Sequence, residues 1–403
     1  MDKWSVPVIV ALGTGHTVIV MTSDIQIAHT SRSSGLKLFR WGRFQSRPLF
    51  KFTRWRFMKR TFLMFVPILT LIVELALTLP GTDKEKEIVI LNRGDGKYEK
   101  EIDKRIGFKR ILSIGVESGP KYLVFGTQMK VRTDKEQNIY LLDTENRRIL
   151  RFDKNGNFLW EAGRGGQGPG EFEYPVGLLV TDEEIIVADV SRIHFFDKKG
   201  KFKETHRLEK LINDIISYSN NRILASLSIT GQTGIATAYF TKEGKLVRIF
   251  QSYFGSKIIH DEGARVQVSW GGGYARQFKD EIYICLPECY EIQIYKMDGK
   301  LIKKILRDIK ITPAKVEVSN SMFSVIEGDE VGPVFPLSNG MLVVKLRYKY
   351  KYYLDFFDKN FEFLGSYPIP EDMNLIEVDS FDNFYFLQTY PFPKLVKCSL
   401  EWK

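Results

Sequence analysis

The sequence predicts an all-β fold, a six-bladed β-propeller, preceded by a hydrophobic N-terminal signal or anchor helix. The first observation is a phrase that closes four strand-like runs: an aromatic residue, polar residues, then Gly-x-Phe/Leu. It reads Phe152-Asp153-Lys154-Asn155-Gly156-Asn157-Phe158, Phe196-Asp197-Lys198-Lys199-Gly200-Lys201-Phe202, Phe240-Thr241-Lys242-Glu243-Gly244-Lys245-Leu246 and Tyr295-Lys296-Met297-Asp298-Gly299-Lys300-Leu301. The first three glycines stand 44 residues apart and the fourth follows after 55. A period of that length with several short strands per unit is that of propeller blades. The second observation is a last unit one strand short, matched by an orphan strand upstream of the first. The third is an apolar run at 61–80 behind a basic flank.

The chain begins with its charge. The formal net charge of the 403 residues is +10, yet residues 1–81 hold 11 of the 59 Lys/Arg and only 3 of the 49 Asp/Glu. The remainder holds 48 basic and 46 acidic residues, so the folded part is nearly neutral and no nucleic-acid partner is expected. Ten Lys/Arg lie between Arg32 and Arg60 without an acid. The 61–80 run that follows is long enough to span a bilayer, and Glu74 equally suits the end of a shorter signal-peptide core. Residues 58–81 are thus a signal peptide or a single transmembrane anchor, with everything beyond on the extracytoplasmic side. Met58-Lys59-Arg60 forms the short basic start of such a signal. It reads as the natural translation start, with 1–57 otherwise a basic, poorly ordered extension. Residues 82–107 are a lead-in, and 108–403 the propeller.

The blades follow in order. The first takes strands at 129–132, 138–142, 149–152 and 158–160, alternating apolar residues parted by Asp, Asn and Gly. The second opens with the glycine-rich turn 163–175 and runs through 176–182, 185–189 and 192–197. The third uses 214–217, 222–228, 236–240 and 246–250; the fourth 275–278, 281–285, 291–295 and 301–306. The fifth uses 334–336, 341–347, 352–357 and 361–367. The sixth has only 375–378, 383–388 and 395–399. The orphan strand 110–114 completes it and removes the open edge.

In the second unit Gly168-Pro169-Gly170-Glu171-Phe172, Pro175, Asp182, Ala188-Asp189 and Phe196-Asp197 stand in the order of an NHL repeat. The segment 128–202 resembles that repeat, and the chain is similar to six-bladed propeller proteins of bacterial cell envelopes. Such propellers carry many unrelated activities, so the resemblance implies architecture and an exported location rather than a reaction. Gly163-x-Gly165-x-x-Gly168 also matches the dinucleotide fingerprint, but Pro169-Gly170 and Pro175 deny it the helix on which a pyrophosphate would sit.

No catalytic, metal or cofactor site is predicted. Three histidines follow Thr82, namely His194, His206 and His260, and no nucleophile elbow or Cys/His pair accompanies them. The strand-end aspartates, Asp143, Asp153, Asp182, Asp189 and Asp197, read as turn formers. Cys285 and Cys289 flank a turn where a cross-hairpin disulfide fits an oxidising compartment; the alternative is two small residues at a strand end.

What remains is binding. The turns joining second to third strands share one face with the long linkers 256–273 and 308–332, and long loops in compact domains are often functional. The candidate ligand-binding residues on that face are Arg164 and Gln167 in the 163–175 turn, Trp270 in the first linker, and Arg347, Lys349 and Tyr350 in the basic–aromatic 347–353 hairpin. The expected function is a non-catalytic binding or scaffold module for a protein, peptide or glycan partner. The alternative is a metal-dependent lyase or hydrolase acting in the channel.

Overall fold

The computed structural model describes residues 87–189, 191–228, 235–253, 257–261, 264–268, 274–286, 289–312, 315–319, 322–326 and 328–403. The start at Met58, the 61–80 run and Trp270 lie outside the described residues. Among the described residues no helix is long and apolar enough to cross a membrane.

A lead-in carries strand β1 (Ile88–Asn92), the short helix α1 (Ile102–Arg105) and strand β2 (Ile106–Ile114). Blade 1 is β3 (Met129–Thr133), β4 (Ile139–Asp143), β5 (Arg148–Phe152) and β6 (Phe158–Ala162). Blade 2 is β7 (Gly177–Val180), β8 (Glu184–Asp189), β9 (Arg192–Asp197) and β10 (Phe202–Arg207). Blade 3 is β11 (Ile212–Ser219), β12 (Arg222–Ser228), β13 (Ile235–Thr241) and β14 (Leu246–Tyr253). A hairpin of β15 (Lys257–Asp261) and β16 (Ala264–Val268) leads to blade 4, which is β17 (Tyr274–Phe278), β18 (Glu281–Leu286), β19 (Glu291–Lys296) and β20 (Leu301–Arg307). A second hairpin, β21 (Lys315–Ser319) with β22 (Met322–Ile326), precedes blade 5: β23 (Glu330–Pro336), β24 (Leu342–Tyr348), β25 (Lys351–Phe357) and β26 (Phe363–Ile369). Blade 6 is β27 (Met373–Val378), β28 (Asn383–Gln388) and β29 (Lys394–Trp402), completed by β2. The closure is antiparallel, with Arg110 opposite Cys398 and Ile114 opposite Leu395. Both long linkers hold a hairpin where the sequence suggested only loop.

Burial explains why the middle strands are continuous apolar runs rather than half-polar ones. Each blade is covered on both faces, so period-2 alternation sends successive side chains to different neighbours. In β4, Ile139 and Leu141 pack with Tyr385 and Leu387 of blade 6, while Tyr140 and Leu142 pack with Ile185 and Val187 of blade 2. A cluster of this kind fills each of the six interfaces between neighbouring blades.

The repeated phrase is the turn from third to outer strand. In blade 1 the Gly156 amide bonds the Asp153 carbonyl at 3.0 Å, and the Asp153 carboxylate accepts from the Asn155 and Asn157 amides. The fourth turn residue needs a left-handed backbone, and Gly156, Gly200, Gly244 and Gly299 have φ between +81° and +88°. The turn also occurs a fifth time, in blade 5. Phe361 takes the glycine position with φ +65°, and its amide donates to the Asp358 carbonyl.

The lead-in is a belt around the ring. β1 adds to the outer edge of blade 4, parallel to β20, with Ile88 opposite Lys303. The Asn92 side chain donates to the Leu306 and Phe361 carbonyls and accepts from the Phe363 amide. The Lys97 and Tyr98 amides then bond the Phe363 and Leu364 carbonyls of blade 5, before α1 delivers the chain to blade 6.

Candidate functional site

Strand direction assigns the two faces. The innermost strands β3, β7, β11, β17, β23 and β27 all begin on the face that carries the outer-to-inner connections and the second-to-third-strand turns. The Gly-x-Phe turns lie on the opposite face.

The 163–175 turn is built on two buried residues. Gly163 has φ +84°, and a Cβ there would stand 2.3 Å from the fully buried Phe172 ring. Asp189, at the end of β8, accepts from the amides of Glu173 at 3.0 Å and Tyr174 at 2.5 Å, and from Arg192 Nη2 at 2.6 Å. Burial acts to raise its pKa. His194, with Nε2 at 3.5 Å, the two amides and Arg192 outweigh that and bring it down to about 2. The amides and Arg192 have the better geometry and carry most of the effect. Asp189 and His194 are therefore structural: His194 is fully buried with Nδ1 2.8 Å from Thr205 Oγ1.

The predicted binding residues divide. Arg164 is exposed and pairs with Glu171 at 2.7 Å, while Gln167 donates to Glu173. Lys349 and Tyr350 form a two-residue hairpin turn, with φ +50° and +63° and Tyr348 opposite Lys351. That turn breaks the lysine/tyrosine alternation, because two consecutive left-handed residues reverse the strand. Tyr350 is 71% exposed. Arg347 instead lies half-buried, 3.6 Å from Glu330, which also accepts from Tyr274 Oη at 2.5 Å. Blades 2 and 5 are three places apart in the ring, so Arg164 and Tyr350 stand on opposite sides of the channel mouth. Cys285 and Cys289 are both thiols, with Cys285 fully buried and its pKa pushed well up by burial.

Two features of this face were missed in the sequence. The first is a set of tyrosines. Tyr174 (55%) and Tyr390 (74%) join Tyr350 as the exposed tyrosines among the described residues, and all three lie in connections of this face. Leu211 is exposed there too, while the opposite face exposes Phe381 and Trp402. Tyr174 follows the quoted turn directly and Tyr390 precedes a proline in a second-to-third-strand turn, so a search for exposed aromatics in turns would have found them.

The second is the channel. A cavity of about 320 Å³ lies among the first halves of the innermost strands, lined by Lys130, Asp214, Arg276, Lys345 and Asn374 among others. At its floor Glu377 accepts from Arg276 Nη1 at 2.6 Å and from Arg132, joining blades 1, 4 and 6. Lys130 pairs with Asp214 at 3.0 Å. No group of three His, Cys, Asp or Glu side chains suited to a metal occurs among the described residues.

The sequence pattern of the family described as 6-bladed beta-propeller, DUF5128, matches residues 124–389. None of the curated proteins matches the chain in sequence. Among solved structures the chain is similar to a candidate exported protein of Bacteroides fragilis, at 11% identity and TM-score 0.52, over 78% of this chain and 99% of that one. It is also similar to a DUF4221 family member from Bacteroides vulgatus, at 11% identity and TM-score 0.49, over 74% and 99%. A virginiamycin B lyase from Staphylococcus aureus matches at 11% identity and TM-score 0.42, over 73% and 99%. At these identities the likeness is one of fold.

Proposed function

We propose that this chain, which belongs to the 6-bladed beta-propeller family DUF5128, works outside the cytoplasm as a non-catalytic binding module. Its N-terminal segment serves as signal or anchor, and the face bearing the outer-to-inner connections grips a protein, peptide or glycan partner. The observation that supports this best is the placing of Tyr174, Tyr350 and Tyr390 on that face. Tyrosine offers a large, stiff contact surface with a polar tip at little entropic cost, which suits recognition of peptides and sugars. Arg164, in the same turn as Tyr174, and Lys349, next to Tyr350 in sequence, add directional donors to that face.

Site-specific photocrosslinking tests it. A photoreactive residue at position 174, 350 or 390 of the full-length chain in cells should capture one common partner. The same residue at 159, on an outer strand, or at 381, on the opposite face, should not. Equal capture at all five positions, or none at the first three, overturns the assignment.

A further inference from the structure

Lys345 is out of place by ordinary packing rules. It sits in β24 between Val344 and Leu346, which are both buried, in a run where every other residue from Leu342 to Leu346 is apolar. Its ammonium reaches the channel cavity beside Pro333, where the inner strand bulges: Val331 pairs with Leu346 and Val334 with Val344, leaving Gly332–Pro333 opposite Lys345. Its partner there is the neutral Asn374 Oδ1 at 2.5 Å. No carboxylate lies within ion-pair distance of it among the described residues. Glu330 acts on it only from beyond contact and is itself bonded to Tyr274 and Arg347. Enclosing an ammonium with no carboxylate in contact is costly, and groups perturbed in this way concentrate at functional sites.

Cations outnumber carboxylates in the lining. Lys130, Arg276 and Lys345 face the cavity against Asp214, and deeper in the channel Arg132 and Arg276 meet Glu377, with Asp379 beside it. Burial acts to raise the Asp214 pKa, yet Lys130, Arg132 and Arg276 together hold it below the usual carboxylate value. The field in the cavity is positive. Beside the cations lie neutral groups that bond hydroxyls, including Asn374, Asn213 and Ser226. A volume of about 320 Å³ is that of a pocket for a molecule of monosaccharide size.

We propose that the channel cavity is a binding site for a small hydroxylated carboxylate, of the sugar-acid class, whose carboxylate is received by Lys345 and Lys130 and whose hydroxyls meet the Asn374 and Asn213 amides. A zwitterion would bring an ammonium into a positive field, and a neutral sugar would leave Lys345 uncompensated. The site stands apart from the tyrosine face: it lies inside the ring and uses none of those residues.

Titration calorimetry on the full-length chain at low ionic strength, with D-glucuronate, D-glucose and inorganic phosphate as probes, tests this. Glucuronate should bind and glucose should not, since they differ only in the carboxylate. Lys345→Met should weaken glucuronate by about tenfold or more, the loss of one charge-assisted contact. Lys130→Met supplies a second reading should the first variant fold poorly, with melting curves of both as control. Absence of glucuronate binding, equal binding of glucose, or unchanged affinity in a folded Lys345→Met protein overturns the site. Phosphate binding tighter than glucuronate overturns the carboxylate class. Failure of the crosslinking experiment leaves each of these outcomes readable.

Discussion

Asp189 shows how a residue with the look of an acid or base is consumed by structure. Its carboxylate holds two amides of the glycine-rich turn, and its pKa of about 2 lies below the ordinary aspartate value of 3.8. The folded value is the depressed one, so its stabilisation is present above about pH 4 and is lost as the pH falls toward 2. The size is about 2 kcal/mol. Urea unfolding at about pH 6 and about pH 2 should show Asp189→Asn destabilised at the higher pH, with most of the difference from wild type gone at the lower. A constant difference across both would refute the role. Phe361 teaches a related lesson. It holds a left-handed backbone that glycine takes in the other turns, and Lys303 lies over its ring at 4.1 Å. The fifth copy of the phrase was hidden because the identifying residue is replaced, and packing against blade 4 compensates the backbone cost.

At the scale of elements, the belt and the closure make the ring cooperative. Asn92 bridges blades 4 and 5 with three hydrogen bonds. Asn92→Ala strands their partly buried backbone partners, and should cost about 1–3 kcal/mol in chemical unfolding. Hydrogen exchange should accelerate in β20 and the start of β26 while β4 and β8 stay protected. Uniform acceleration would mean that the belt has no local role. A chain beginning at residue 115 lacks β2 and leaves β29 with an unpaired edge. It should associate in light scattering, because an open edge templates further strands; a monodisperse monomer of native stability would contradict this. The alternation of Ile139, Tyr140, Leu141 and Leu142 between two interfaces ties each middle strand to both neighbours.

At the scale of the whole molecule, the channel is braced across its width. Arg132, Glu377 and Arg276 come from blades 1, 6 and 4 and are largely shielded from solvent. Glu377→Gln removes the carboxylate in contact with both guanidinium groups and leaves them only the Asp214 charge, and should destabilise by about 3 kcal/mol. Thermal unfolding reads this; high salt should recover part of the loss, as anions screen the pair, and an unchanged melting point would show the triad to be idle. The topology expected from the N-terminal segment is checked separately. Alkaline phosphatase fused after Lys403 should be active, and N-terminal sequencing of the native product should distinguish Met1, Met58 and a cut near Leu79. An inactive fusion places the propeller in the cytoplasm.

The sequence by itself determined the period, the blade count and the closure by 110–114, because each depends on local pattern: alternation, turn residues and a missing strand. It also determined that the strand-end aspartates such as Asp153 form turns, since their partners lie within four residues. Only the tertiary structure decided the rest. The belt pairs Asn92 with residues more than two hundred positions away, and nothing in its neighbourhood announces that. Lys345 reads locally as one more lysine near a basic hairpin; a bulge in the partner strand turns it into the channel. Arg347, three residues before Tyr350, reads as a rim cation and folds inward to Glu330. A propeller's strands follow from short-range pattern, whereas its channel and faces are composed of one or two residues from each blade. Convergence of that kind exists only once the ring has closed.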